Sequence, residues 1–221
     1  MSHADDRAES SALTNQQGLF IVLEGIDGAG TTTQAKRLAN SLAEYSIGCH
    51  LTREPTDNPI GKLLREILTG AHRPTDATTL GLLFAADRAD HLQREIFPAL
   101  QAGKVVISDR YYHSSLAYQG SEEDREWISQ LNKRARSPDR TFFLKVDPEV
   151  AATRRKADDR DEELFDSVNT QLRVAQGYEE VVRSLSPDED IVVLDGHQSL
   201  DTLSADILRS TLALLGREHE G

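Results

Sequence analysis

Apolar residues recur at two different spacings along the chain. Residues 18–24, GLFIVLE, form a short apolar run bounded by glycines, the pattern of a strand buried on both faces. From Thr31 the spacing changes. Ala35, Leu38, Ala39, Leu42 and Tyr45 recur at helical intervals, which predicts a helix leaving the intervening loop directly. Residues 48–55, GCHLTREP, predict a short strand ended by proline, and 60–68 an amphipathic helix stopped at Gly70. A longer helix is predicted over 76–97, with Leu80, Leu83, Phe84, Asp87, Arg88, His91 and Leu92 along one side. Strands follow at 104–110 and 141–147, then helices at 149–156 and 163–184, a strand at 191–195 and a helix at 199–215. Five strands alternating with helices predict an α/β fold, a parallel sheet with helices on both faces. No repeat or low-complexity linker interrupts the pattern.

Composition narrows this picture. The first 17 residues are polar and read as a flexible tail, leaving 18–221 as a single domain, a size that buries a substantial core. No apolar run approaches the roughly 20 residues needed to span a membrane, so a cytoplasmic protein without membrane partners is expected. The net charge of −12 argues against nucleic acid as a partner, because a polyphosphate backbone requires a basic face. Small phosphate ligands remain compatible, since they need only a few local cations and backbone N–H groups. Cys49, the single cysteine, forms no internal disulfide and reads as a small apolar filler. The seven histidines show no metal-ligand spacing and receive no chemical role.

Chemistry concentrates between the first strand and the first helix, at residues 23–34, LEGIDGAGTTTQ. Strand, glycine-rich turn and helix are the context of a phosphate-binding loop, in which backbone N–H groups and the helix N-terminus surround a phosphate. Gly25 and Gly30 occupy the glycine positions of G-x-x-x-x-G-K-[ST], and Thr32 the hydroxyl position that binds Mg²⁺. The lysine position holds Thr31. Taken alone, the stretch leaves open the lesser alternative of a strand-to-helix turn of purely structural use.

Three other segments bear on that choice. Asp109 follows an apolar strand and stands where a carboxylate would hold Mg²⁺ opposite the loop; Arg110 beside it suits a bidentate phosphate clamp. A structural Asp–Arg salt bridge is the alternative. Phe84 and Arg88 lie four apart on one helical face, where a ring would stack on a base and a guanidinium would bind a base carbonyl. The alternative makes Phe84 core and pairs Arg88 with Asp87 or Asp90. Residues 154–163, RRKADDRDEE, are too charged for core and read either as a solvated face or as a lid closing over a nucleotide.

Taken in order and at their spacing, FIVLEGIDGAGTTTQ, TREP, LLFAADRADH, VVISDRYYHSSLAYQG and RRKADDRDEE resemble the thymidylate kinase family over about residues 18–215. The resemblance implies a P-loop nucleoside monophosphate kinase fold, Mg²⁺ with ATP as donor, dTMP as acceptor and a homodimer. It implies ATP contacts at Gly25, Asp27, Gly28, Ala29, Gly30, Thr31, Thr32 and Thr33, and metal contacts at Thr32 and Asp109. It places Asp27, Arg53, Pro55, Phe84, Arg88, Arg110, Ser115, Tyr118 and Gln119 around the acceptor, with Tyr118 crowding the sugar 2′ position. Family members carry a basic residue either inside the loop or in the lid. Gly28 at the internal position and the cations at 154–160 resemble the lid style, making Arg154 and Arg160, with Asp27 and Arg110, the expected catalytic set. Two alternatives stay open: a catalytically impaired nucleotide-binding relative, because of Thr31, and a kinase for another pyrimidine monophosphate such as dUMP or UMP.

Overall fold

The computed structural model describes residues 18–72, 75–121, 123–157, 164–165 and 167–217. Five parallel strands build one sheet in the order β2-β3-β1-β4-β5: β1 (Phe20–Glu24), β2 (Cys49–Arg53), β3 (Val105–Asp109), β4 (Arg140–Lys145) and β5 (Ile191–Asp195). The two central strands β1 and β3 are buried along their whole length, which is why they read as continuous apolar runs. The edge strands β2 and β5 carry mixed burial.

The helices are α1 (Thr31–Glu44), α2 (Pro59–Leu68), α3 (Ala77–His91), α4 (Phe97–Gln101), α5 (Tyr112–Tyr118), α6 (Arg125–Asn132), α7 (Pro148–Ala157), α8 (Val168–Leu185) and α9 (Leu200–Leu214). The helix expected over 76–97 begins at the cap: the Asp76 carboxylate accepts from the Thr79 amide at 2.7 Å. It does not run through regularly, because residues 92–96 form a π-helical turn before α4. Pro98 follows at once, and a proline has no N–H for the i→i−4 ladder. The helix expected from 163 begins at Val168, where the Ser167 hydroxyl accepts from the Thr170 amide.

Helices α5 and α6 have no counterpart in the periodicity. Six of the seven α5 residues are buried, so the helix has no polar face to mark its period. It packs closely on α8 at Gly177, where a Cβ would meet the Ala117 carbonyl at 2.7 Å. That approach lays α8 across the carboxyl end of the sheet. Register gathers the rest there: Leu23 of β1 and Arg53 of β2 both lie beside Asp109 of β3. Parallel α/β sheets bind ligands at this edge.

Candidate active site

The loop after β1 turns into α1 with Gly28 and Gly30 in the left-handed region, φ 87° and 97°. It lines a cleft of about 720 Å³ along Asp27, Gly28, Ala29, Gly30, Thr31, Thr32 and Thr33. Gly25 lies outside the cleft lining and contributes its carbonyl, which accepts from Arg110 Nη1 at 2.8 Å. Across the cleft stand Asp109 and Arg110, and Arg53 forms part of the wall while pairing with Asp57 at 3.0 Å.

The Thr32 hydroxyl donates to Asp109 Oδ2. The other carboxylate oxygen, Oδ1, is buried and has no hydrogen-bond partner among the described residues. A hydroxyl and an orphaned carboxylate oxygen at a phosphate loop are hard oxygen donors of the kind Mg²⁺ takes.

A second, smaller pocket of about 100 Å³ shares Asp27, Glu54, Pro55, Leu68 and Arg110 with the first. Phe84, Arg88, Ser115, Tyr118 and Gln119 line it, so every residue expected around the acceptor is brought together here except Arg53, expected near its phosphate. Arg88 is fully buried. Its Nε donates to Glu54 Oε2 at 2.9 Å and its Nη2 to Ser115 Oγ at 3.1 Å, and Nη1 contacts Asn132. It therefore pairs neither with Asp87, which takes Thr56 at 2.6 Å, nor with Asp90, which takes Arg94. His91 also meets Glu54, at 3.1 Å, so this glutamate holds an arginine and a histidine behind the pocket wall.

Where the two pockets meet, Arg110 Nη2 pairs with Asp27 Oδ1 at 2.5 Å and Tyr118 donates to Asp27 Oδ2 at 2.9 Å. Arg110 has φ 75°, a conformation unusual for a side-chain-bearing residue, and the surrounding contacts hold it there. Burial opposes its charge, but Tyr118, Asp27, Tyr178 and Asp109 outweigh burial and raise its pKa well above the ordinary value.

Behind Arg110 lies a buried network that the sequence did not reveal. Glu24, the last residue of β1, accepts from the Tyr111 amide at 2.8 Å, the Ser114 hydroxyl at 2.6 Å and the Tyr178 hydroxyl at 2.8 Å. Arg110 Nη1 donates in turn to the Tyr178 hydroxyl at 3.1 Å. His113 lies between two carboxylates, 3.6 Å from Glu24 and 2.9 Å from Glu189. Burial raises the Glu24 pKa, but the nearby His113, with Arg110 and Ser114, outweighs it and leaves it lowered. Glu189 is lowered on the same balance by His113 and Tyr112. His113 moves the other way: burial lowers its pKa, and the two glutamates more than reverse this.

The stabilisation from His113 is therefore complete below the ordinary histidine value of about 6.5 and is lost as pH rises through its raised folded value. That of the two glutamates is present above about 4.3 and is lost as pH falls through their lowered values. The melting temperature of His113→Gln should accordingly fall furthest below the parent near pH 5–6, with the gap narrowing toward alkaline pH. A gap that does not vary with pH would show that His113 is neutral in the fold.

Residues 23–207 match the family model for thymidylate kinase. The chain is 39% identical over 211 residues to a probable thymidylate kinase of Thermococcus kodakarensis, covering 90% of this chain and all of that protein. It is 38% identical over 209 residues to a thymidylate kinase of Symbiobacterium thermophilum, covering 92% and 97% of the two chains. A probable thymidylate kinase of Pyrococcus abyssi is 43% identical over 169 residues, 73% of this chain and 82% of that protein. The chain belongs to the thymidylate kinase family.

Within this thymidylate kinase family member, the departure at Thr31 directs attention to α7. Gly28 has no room for a side chain, since a Cβ there would meet the Ala151 carbonyl at 2.4 Å and Arg155 Cγ at 3.0 Å. Helix α7 therefore rests directly on the phosphate loop. The two expected lid cations divide: Arg154 lines the larger cleft and donates to the Gly196 carbonyl at 2.9 Å, while Arg160 lies outside the described residues. Arg155 also lines that cleft, is 92% buried and donates through Nη1 to the Asp27 carbonyl. Among the described residues no lysine lines this cleft; its cations are arginines. Sequence reasoning passed over Arg155 because a run of Arg-Arg-Lys at a helix end does not say which side chain faces the loop.

Proposed function

We propose that this enzyme transfers the γ-phosphate of ATP to dTMP, giving dTDP and ADP. The observation that carries the reading is the shared wall of Asp27 and Arg110 between a phosphate-loop cleft and a pocket lined by Phe84, Arg88 and Tyr118. Phosphoryl transfer requires two substrates in line and the migrating charge neutralised, with little covalent chemistry from the protein. ATP phosphates lie on the loop amides; the pyrimidine stacks on Phe84 with Arg88 and Ser115 at its edge. The Tyr118 ring stands against the sugar 2′ position, disfavouring ribose, and Gln119 completes that wall.

Arg110, held between Asp27, Gly25 and Tyr178, projects at the boundary where the acceptor phosphate meets the γ-phosphate. Arg53 and Pro55 border the same junction. Mg²⁺, held by Thr32 and Asp109, would supply charge neutralisation of the ATP phosphates when bound. Charge that Thr31 does not provide comes from α7 and the lid, through Arg155 on the loop with Arg154 and Arg160. The same proposal includes a homodimeric, cytoplasmic enzyme, on the support of family membership. Among the described residues no helix is long and apolar enough to cross a membrane.

A coupled assay of ADP formation tests the reading, with purified protein, Mg·ATP and a panel of dTMP, dUMP, UMP and CMP. The highest kcat/KM is expected with dTMP. Turnover with UMP in preference to dTMP would overturn the acceptor assignment, and nucleotide binding without any turnover would establish an impaired relative.

A further inference from the structure

Asp27 receives side-chain donors from three elements: Arg110 at the end of β3, Tyr118 at the end of α5, and Gln171 in the first turn of α8. Gln171 has no part in the roles assigned above. It is fully buried, and its Nε2 divides its two hydrogens between Asp27 Oδ2 at 2.9 Å and the Phe165 carbonyl at 2.8 Å. Its Oε1 is buried with no hydrogen-bond partner among the described residues. An unpaired buried amide oxygen is unfavourable. The side chain is held in place by what its other end does.

That end joins two parts of the site. The Phe165 ring walls the acceptor pocket and packs edge-on against Tyr118, with centroids 5.4 Å apart at 67°. The neighbouring Leu164 amide donates to the Leu68 carbonyl at 2.9 Å, and Leu68 lines both the donor cleft and the acceptor pocket. The segment entering α8 is thus tied to α2 by backbone and to the phosphate loop by one amide.

We propose that Gln171 is a positioning residue that latches the Phe165 wall of the acceptor pocket to the phosphate-loop carboxylate Asp27, so that occupancy of the donor loop and of the acceptor pocket reinforce each other. It acts through Asp27 and Phe165 and touches neither substrate. The inference rests on the donor and acceptor assignments proposed above. Only a neutral side chain with two donors fits the place. A carboxylate would face Asp27 across 2.9 Å, and a thioether of the same length would leave the Phe165 carbonyl without this donor and Asp27 Oδ2 with Tyr118 alone.

The test is calorimetric titration of full-length parent, Gln171→Met and Gln171→Glu with dTMP, each with and without a saturating non-hydrolysable ATP analogue. In the parent the analogue is expected to tighten dTMP binding by about fivefold or more. Gln171→Met should reduce that coupling to below about twofold and weaken dTMP binding to the analogue-loaded protein about tenfold, while the affinity for the analogue alone stays within about twofold. Gln171→Glu should show the same loss at pH 8 and regain coupling toward pH 5.5, as a proton comes to be shared with Asp27. It decides the matter if Gln171→Met does not fold. A parent without coupling, or variants that keep it at pH 8, would overturn the inference. Failure of the functional reading looks different: the parent itself would bind no monophosphate or turn none over.

Discussion

Arg110→Lys is expected to lower kcat for dTMP phosphorylation about 100-fold, or ~2.7 kcal/mol of barrier. The lysine keeps a positive charge opposite Asp27, so the half-buried carboxylate is not left unpaired and the fold persists. What it loses is the fork. Arg110 spends Nη1 on the Gly25 carbonyl and the Tyr178 hydroxyl and Nη2 on Asp27, which fixes the guanidinium plane toward the boundary of the two pockets. An ammonium on a flexible stem makes no such planar, bidentate approach to phosphate oxygens. Arg110→Ala should lose more, about 10³-fold or beyond. It should also lower the melting temperature, because among the described residues Asp27 then has no cation at hydrogen-bond distance. Steady-state kinetics of both variants, with their melting curves, check the assignment. A lysine variant within about threefold of the parent would show that Arg110 serves the fold alone.

The second large effect concerns Thr31 and Arg155. Arg155→Met removes the cation that α7 places on the loop while keeping its aliphatic packing over Gly28. We expect kcat to fall about 30- to 100-fold, ~2–3 kcal/mol. ATP and ADP affinity should weaken more than AMP affinity, since the cation of a phosphate loop serves the β- and γ-phosphates. Thr31→Lys restores the residue that the loop motif normally carries. In the Arg155→Met background it should recover at least tenfold of the loss, and in the parent it should add little. The comparison of four proteins is a double-mutant cycle, and its interaction energy is the result sought. If Thr31→Lys changes parent and variant by the same factor, the two positions act independently, and the loop's missing charge is supplied from elsewhere.

The expected fold and the observed one agree because the determinants of a parallel sheet are local. Each central strand is buried on both faces, so β1, β3 and most of β4 read as apolar runs, and the phosphate loop stands in the few residues between one such run and the next helical repeat. That Phe84 and Arg88 share one face was legible for the same reason, since they stand four residues apart on a helix; that this face lines a pocket was not. Local reading failed where burial removed the contrast it depends on. Helix α5 is enclosed nearly all round, and its sequence, YHSSLAY, has no polar face. At residues 92–96, Pro98 altered hydrogen bonding within a pattern that stayed apolar throughout.

By itself, then, the sequence determined the sheet, the glycine-rich phosphate loop between β1 and α1, and the absence of its lysine. Those properties depend on which side chains are close neighbours along the chain. Only the tertiary structure decided how the charges pair. It set Glu54 rather than Asp87 or Asp90 against Arg88, enclosed His113 between Glu24 and Glu189, and brought Gln171 to Asp27 from 144 positions away. It also chose Arg155 over Arg154 as the arginine resting on the loop, through the bare backbone of Gly28. Burial makes each of these pairings consequential, since a charge or amide removed from water must find its partner in space, and that partner carries no signature in the local sequence.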